Sequence, residues 1–387
     1  MINAINAMSP ETGARTKGQS FNRIKNILSS HEVRTPVLIL SRSRIRKNLD
    51  ALSRALPGVG IHYAIKSNSH PAVLEEVARS GHRFDVASFR EVQLALEAGG
   101  HASEMIHSHP VKMIHEIENA IRIGVTNFVI DNPDEIEKFI PYAGRVKLLI
   151  RVKVENSSAV VNLSYKFGCR PEEVLDLAGR IIDRGIEFFG LAFHVGSQCL
   201  DNGIYIKMAD MAGELIRALG SRGIETRLLD IGGGFPVLYT ETVPNISGFC
   251  RPIRKALKNN IPSHIDIICE PGRFISATAV TLVASVIGKS VRSGRPWYFL
   301  DDGLYGSFSG RIYDHCRYQV VTNRNTTWKR SVLAGPTCDS FDVIYKDIIL
   351  PPLETGDILV FPAMGAYCSV SASQFNCLRK AEYIVID

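Results

Sequence analysis

The sequence lacks most features that would place it in a specialised class. It has no stretch of about 18 apolar residues, so it predicts no membrane-spanning helix. Its opening residues are polar and small, with no apolar run, which argues against a secretory signal. No run of about five basic residues occurs, and aromatic residues are not interleaved with basic ones. The formal charge of +6, from 45 Lys and Arg against 39 Asp and Glu, is scattered and argues against a nucleic-acid partner. The eight cysteines contain no C-x-x-C pair, so no metal site is expected. Their scatter from Cys169 to Cys377 suits a reducing compartment. Internal repeats and low-complexity tracts are also missing. These absences leave a cytoplasmic protein with no membrane or nucleic-acid partner.

What is present is an alternation. Short β-rich runs at 61–65, 83–87, 105–107, 127–130, 147–154, 188–194, 228–231 and 265–270 are each followed by a turn and then an amphipathic stretch. Pro71 fits the first position of a helix that Gly81 stops. Asn132-Pro133 opens another, with Ile136 and Phe139-Ile140 on one face, and Arg170-Pro171 opens a third. Eight strand–helix units predict a parallel (β/α)8 barrel, although an open doubly wound sheet has the same alternation. After about residue 275 helical periodicity fades. Runs at 280–286, 297–300, 317–322 and 357–361 read as strands of a separate all-β domain. The expected organisation is an N-terminal segment 1–36 packing with the β domain, a barrel over 37–275 and a C-terminal β domain over 276–387. Residues 37–40 fit either domain.

Several strand ends carry chemistry-bearing residues. Lys66 follows the apolar run 61–65, on the face where barrels build active sites. A lysine there can be desolvated and act as a free amine toward a carbonyl, but a solvated strand-end lysine looks the same in isolation. His194 ends the sixth unit and is followed by Gly196-Ser197. Gly232-Gly233-Gly234 follows the seventh and permits backbone N–H groups to converge on a phosphate, as it permits a plain turn. It is not the dinucleotide pattern G-x-G-x-x-G. Glu270-Pro271-Gly272-Arg273 ends the eighth. Such a carboxylate can pair with a protonated ring nitrogen, and the arginine can add to phosphate binding. No G-x-S-x-G elbow supports a serine hydrolase.

The ordered set Tyr63-Ala64-Ile65-Lys66, Phe193-His194-Val195-Gly196-Ser197, Asp230-Ile231-Gly232-Gly233-Gly234-Phe235-Pro236, Glu270-Pro271-Gly272-Arg273, Tyr305-Gly306-Ser307-Phe308 and Gly335-Pro336-Thr337-Cys338-Asp339 resembles the fold-type III pyridoxal-phosphate-dependent decarboxylases. The similarity is to the lysine/ornithine decarboxylase branch and runs from about Pro36 to Asp387. It implies an alanine-racemase-like barrel with a C-terminal β domain, and pyridoxal 5'-phosphate as cofactor. It implies that Lys66 forms a Schiff base with the cofactor, His194 stacks on its ring and Glu270 pairs with the ring nitrogen. Ser197, Gly233, Gly234, Arg273 and Tyr367 would hold the phosphate, while Asp85 and Arg151 line the cofactor site. Cys338 would return a proton to Cα. Asp314, Asp339 and Tyr305 would contact the substrate, and Phe375 would wall off the departing carboxylate. The resemblance further implies a head-to-tail homodimer with shared sites, in which Lys166 pairs with the partner's Asp342.

The implied reaction is decarboxylation of a basic amino acid, L-ornithine to putrescine and also L-lysine to cadaverine. Two carboxylates facing a cationic tail favour a diamino acid. Diaminopimelate would instead need a cation, and that branch shows Cys-Glu-Ser where this chain has Cys338-Asp339-Ser340. Phe375-Asn376-Cys377 departs from the family's Phe-Asn-Gly, and Asp301-Asp302-Gly303 from its Asn-Asp-Gly. The first departure leaves open a modified or carrier-linked amino acid in a specialised pathway. A non-catalytic regulatory homologue is the alternative of another class. The ending at Ile-Val-Ile-Asp387 fits a short bacterial-type form.

Overall fold

The computed structural model describes residues 13–154, 165–240, 242–324 and 326–387. Residues 1–12 of the expected N-terminal segment lie outside them. The chain divides into two compact units. One comprises Arg42–Val237 and Val243–Ser276; the other comprises the chain up to Ser41, Leu238–Thr242 and Ala277–Asp387.

The opening strand β1 (Val37–Ser41) belongs to the second unit. The first unit is a closed parallel barrel of β2 (Val59–Ala64), β3 (Arg83–Val86), β4 (Ile106–His107), β5 (Asn127–Ile130), β6 (Lys147–Val152), β7 (Glu187–Phe193), β8 (Leu228–Asp230) and β9 (Asp266–Cys269). Closure is made by β2 pairing with β9 through Val59↔Ile267, Gly60↔Ile268 and Ile61↔Cys269. The open-sheet alternative is thereby excluded. Ile106, Val129, Leu149, Ala192, Leu228 and Ile268, one from each of six strands, form a single buried cluster. Truncating a fully buried member such as Leu149 to alanine costs roughly 2–5 kcal/mol.

Helix signals act where the sequence places them. Helix Pro71–Arg79 begins with Pro71, its His70 cap accepts from Ala72 N at 3.2 Å, and Gly81 follows its end with φ +72°. Ser88 and Glu91 cap helix Phe89–Glu97 reciprocally: Glu91 N donates to Ser88 Oγ at 3.3 Å, and Ala87 N donates to Glu91 Oε2 at 2.6 Å. The segment opened by Asn132-Pro133 is shorter than expected. Its α-helix is Pro133–Glu137, then the chain tightens into a 3-10 turn, Ile140–Tyr142. Ile136 and Phe139 are buried as expected, but Ile140 turns to solvent.

The second unit is a seven-stranded sheet. It adds β10 (Val280–Arg292), β11 (Arg295–Leu300), β12 (Lys329–Ala334), β13 (Val343–Leu350), β14 (Ile358–Phe361) and β15 (Glu382–Ile386) to β1. Its order is β13-β12-β11-β10-β1-β15, with β14 on β10. The barrel boundary expected at residue 37 is therefore too early, because β1 pairs with β10 and β15. Phe21 and Ile24, on the helix Gly13–Ser30, share a buried cluster with Val37, Ile39, Val283, Val360 and Ile384. The strand expected at 317–322 does not form. Only Val321 makes a bridge, to Val360, while Tyr318 takes its backbone partner from the Tyr345 hydroxyl. Three strands escaped the sequence reading: β12, β13 and β15. Exposed Lys329-Arg330 and Lys346-Asp347 interrupt the apolar pattern of the first two.

Candidate functional site

The residues singled out at strand ends meet at the C-terminal end of the barrel. Lys66 lies in the short turn Ile65–Ser67 after β2, and its Nζ is 2.7 Å from Asp85 Oδ2 at the end of β3. Asp85 is buried, and its Oδ1 has no hydrogen-bond partner. Behind it stands Glu91, pushed up to about 7 by burial and the nearby Asp85 charge.

Glu270 follows β9, is buried and keeps Oε1 unpartnered. Burial, then the charges of Asp230 and Asp85, raises it well above the usual carboxylate range. Asp230, at the end of β8, is raised by the same burial, although it accepts from Gly232 N at 2.8 Å and shares a hydrogen bond with Glu270. Arg151, on β6, is a second cation beside Lys66 and feels the charges of Glu270, Asp131, Asp230 and Asp85. Its guanidinium lies 5.3 Å from the ring of Phe167.

His194 accepts from Gly196 N through Nδ1 at 3.0 Å. Burial, then Arg151 and Lys66, depresses its pKa well below the ordinary value, so the ring is neutral. The three glycines after β8 are packed tightly against neighbouring strand ends. A Cβ on Gly233 would stand 2.4 Å from Glu270 O and 3.2 Å from His194 Nε2. At Gly234, with φ +107°, it would stand 2.4 Å from Gly196 O. Tyr205 holds this loop by donating to Gly233 O at 2.7 Å, and Cys199 N donates to Gly234 O at 2.9 Å. Arg273 opens a one-turn helix and is buried, with Nε and one terminal nitrogen donating to Ser197 Oγ at 3.1 and 3.0 Å.

The sheet unit carries a second cluster. Tyr305 donates its hydroxyl to Asp339 Oδ2, and Phe341 N donates to Asp339 Oδ1 at 2.9 Å. The backbone bond from Phe341, then the side-chain bond from Tyr305, holds the half-buried Asp339 carboxyl below its usual range. Phe375 stacks on Tyr305 with ring centroids 4.5 Å apart. Cys338 is exposed, and its N–H donates to Asn376 Oδ1 at 3.1 Å. Asp302 organises the Tyr305 loop by accepting from Gly303 N at 2.8 Å and Ser307 N at 2.9 Å. Asp314 ends the helix Gly310–Tyr313, while Tyr367, with φ +57°, accepts from Ser309 Oγ and Ser371 Oγ through its carbonyl.

Asp342, which the resemblance pairs with Lys166 of another subunit, also has a use within its own chain. Asp342 is buried and accepts from Leu304 N at 2.7 Å, Thr337 N at 3.1 Å and Thr337 Oγ1 at 2.8 Å. It clamps the Tyr305 loop to the Cys338–Asp339 turn. Sequence reasoning missed this clamp, along with Glu91, Tyr205, Asp302 and Asn376. Only Asp302 had a local signal, in the Asp-Gly turn that follows it.

The model for the pyridoxal-binding domain of pyridoxal-dependent decarboxylases matches residues 42–277. The lysine/ornithine decarboxylase of Selenomonas ruminantium is 38% identical over 354 residues, covering 91% of this chain and 90% of that protein. Antizyme inhibitor 2 of Xenopus laevis is 33% identical over 357 residues, covering 87% of this chain and 77% of that protein. The crystal structure of the Vibrio vulnificus lysine/ornithine decarboxylase, complexed with putrescine, superposes with a TM-score of 0.90 at 40% identity, covering 98% of this chain and 99% of that one.

Proposed function

We propose that this chain, which belongs to the pyridoxal-dependent decarboxylases, releases the α-carboxylate of a basic amino acid as CO2, acting on L-ornithine and also on L-lysine. The observation that carries the substrate assignment is the Asp339 carboxylate. It is half-buried, held ionised, and oriented by Phe341 N and the Tyr305 hydroxyl. A fixed carboxylate is the partner that a distal ammonium needs and that a second substrate carboxylate would avoid.

The barrel end suits pyridoxal 5'-phosphate in three respects. Glu270 keeps a buried oxygen without a partner, matching a ring N–H. A neutral His194 offers a flat face beside Gly233, where no side chain fits. Arg273 and Ser197 form a cationic, hydroxyl-bearing pair beside the glycine loop. When bound, the cofactor supplies a protonated ring that takes up the electron pair left as CO2 departs.

The chain's own groups do the rest. Lys66 Nζ anchors the cofactor, and Asp85 orients that amine. Glu270 holds the proton on the ring nitrogen, with Arg151 balancing the surrounding carboxylates. Ser197, Gly233, Gly234, Arg273 and Tyr367 hold the phosphate. Asp339, with Asp314, binds the distal ammonium, and Tyr305 fixes the Asp339 rotamer. Phe375 excludes water beside the carboxylate, and Cys338 Sγ delivers a proton to Cα.

The barrel and the sheet unit act as separate domains, and the working form is a head-to-tail homodimer. In it the Cys338–Asp339 turn of one protomer completes the barrel site of the other. This reading draws on the similarity to the family. Equimolar mixing of Lys66→Ala and Cys338→Ala proteins should restore about a quarter of wild-type activity, because half of the dimers regain one intact site. No recovery would count against shared sites.

The test of the activity is direct. Added pyridoxal phosphate should give the wild type, but not Lys66→Ala, a near-visible absorbance band. CO2 release should then be fastest with ornithine or lysine among ornithine, lysine, arginine and diaminopimelate. A colourless wild type would favour a regulatory homologue. Preference for diaminopimelate would overturn the role of Asp339.

A further inference from the structure

The sheet unit contains a recess of about 620 Å3 that none of Tyr305, Cys338, Asp339 or Phe375 lines. One wall is β13, the outermost strand, and the other is the segment 317–320 with Thr240. The two walls are not paired as strands. Tyr345 bridges them instead, its hydroxyl accepting from Tyr318 N and donating to Tyr318 O, each at 2.8 Å. A side-chain bridge holds the walls farther apart than a ladder would, since paired strands lie only about 4.8 Å apart. Its volume is within the range of small-molecule sites, roughly 300–1,000 Å3.

The electrostatics of this recess are one-sided. Arg311 is fixed by donating through Nε to Ile344 O at 3.0 Å and through a terminal nitrogen to Cys316 O at 2.9 Å. Its guanidinium lies 4.4 Å from the Tyr345 ring centroid. These contacts set the plane of the fork and leave other N–H donors on the recess wall. Arg317 and Lys346 line the same space and are exposed. The one carboxylate in the lining, Asp347, is already paired with Arg295 and Arg330, each at 3.1 Å. Five cations therefore surround a single acid along this edge.

We propose that the recess binds a small anion carrying two or more phosphate charges, of pyrophosphate to nucleotide size. Arg311 supplies a preoriented planar donor, and Arg317 and Lys346 supply flexible charges that close on the ligand. The same field would repel the cationic amines that the barrel site handles, so the two sites take opposite ligand chemistry. The proposal stands independently of the catalytic reading.

The probe is pyrophosphate, titrated calorimetrically into protein saturated with pyridoxal phosphate, so that the cofactor's own phosphate seat is filled. Saturable binding of one pyrophosphate per chain is expected. Arg317→Gln and Lys346→Gln should each weaken it about tenfold, as loss of a charge-assisted contact does. Both side chains are exposed, so the pair keeps the test valid if Arg311→Gln fails to fold. Arg251→Gln, a surface change on a barrel helix, should leave the affinity unchanged. Absence of saturable binding, equal weakening by Arg251→Gln, or no effect of Arg317→Gln and Lys346→Gln together would overturn the proposal.

Discussion

Lys66 and Asp85 form an ion pair of 2.7 Å between a side chain that is 40% exposed and one that is 1% exposed. The asymmetry is informative. A buried carboxylate without a partner is expensive, so Asp85 is tied to Lys66 for its own stability as well as for chemistry. Glu270, Asp230 and Glu91 all respond to its charge. Asp85→Asn keeps the shape and removes the charge. The expected result is a loss of about 10- to 100-fold in kcat/KM, with slower growth of the cofactor absorbance band. Unchanged loading and turnover would show that the pair is a by-product of packing.

Gly234 is the clearest backbone requirement. Its φ of +107° is unfavourable for any side chain, and the Cβ would meet Gly196 O at 2.4 Å. Gly234→Ala must move the loop that Tyr205 and Cys199 hold. Cofactor affinity should fall at least tenfold, and the cofactor-free protein should lose about 2–3 kcal/mol of stability. Equilibrium dialysis and urea unfolding of the two forms would check both.

The barrel was legible because its eight short apolar runs are each punctuated by a turn or helix start. That punctuation alone places Lys66, His194, Gly233 and Glu270 at strand ends. The acidic network was less legible. Glu91 reads as an ordinary surface residue of an amphipathic helix, and nothing local says that its carboxylate caps Ala87 N beside Asp85. The β unit was hardest. Charged residues break the alternation in β12 and β13, and 317–322 has β-type composition without a strand to pair with. Asp342 was legible only through family similarity, and its three hydrogen bonds to its own loops carry no local sequence signal.

That clamp gives a further prediction. Asp342 accepts three hydrogen bonds from two loops, and a Cβ on Gly303 or Gly335 would collide with its carboxylate, at 2.4 and 2.3 Å. An asparagine in its place could accept at only one of its two terminal atoms and would point N–H groups at existing donors. Asp342→Asn should therefore destabilise the sheet unit by about 2–4 kcal/mol. It should also lower kcat, because Tyr305 and Cys338 would lose their fixed spacing. Urea unfolding followed by steady-state kinetics distinguishes this from an interface role, in which subunit association would weaken while protomer stability held.

His62 gives the fold a pH dependence that can be isolated. It is buried on β2 with Nδ1 unpartnered. Burial, followed by the Arg83 charge, lowers its pKa to about 4. In the unfolded chain the ordinary value is about 6.5. Between these values the unfolded chain binds a proton that the folded chain refuses. Stability from this group is thus complete above about pH 6.5 and is lost as pH falls toward 4. Glu91, raised to about 7, works in the opposite direction, its contribution fading as pH rises through that value. The total slope therefore mixes the two, and the comparison must be with His62→Gln. From pH 7 to pH 5 the wild type should lose about 2 kcal/mol more than the variant in urea unfolding. Equal losses in both proteins would mean that His62 takes up its proton without disturbing the barrel.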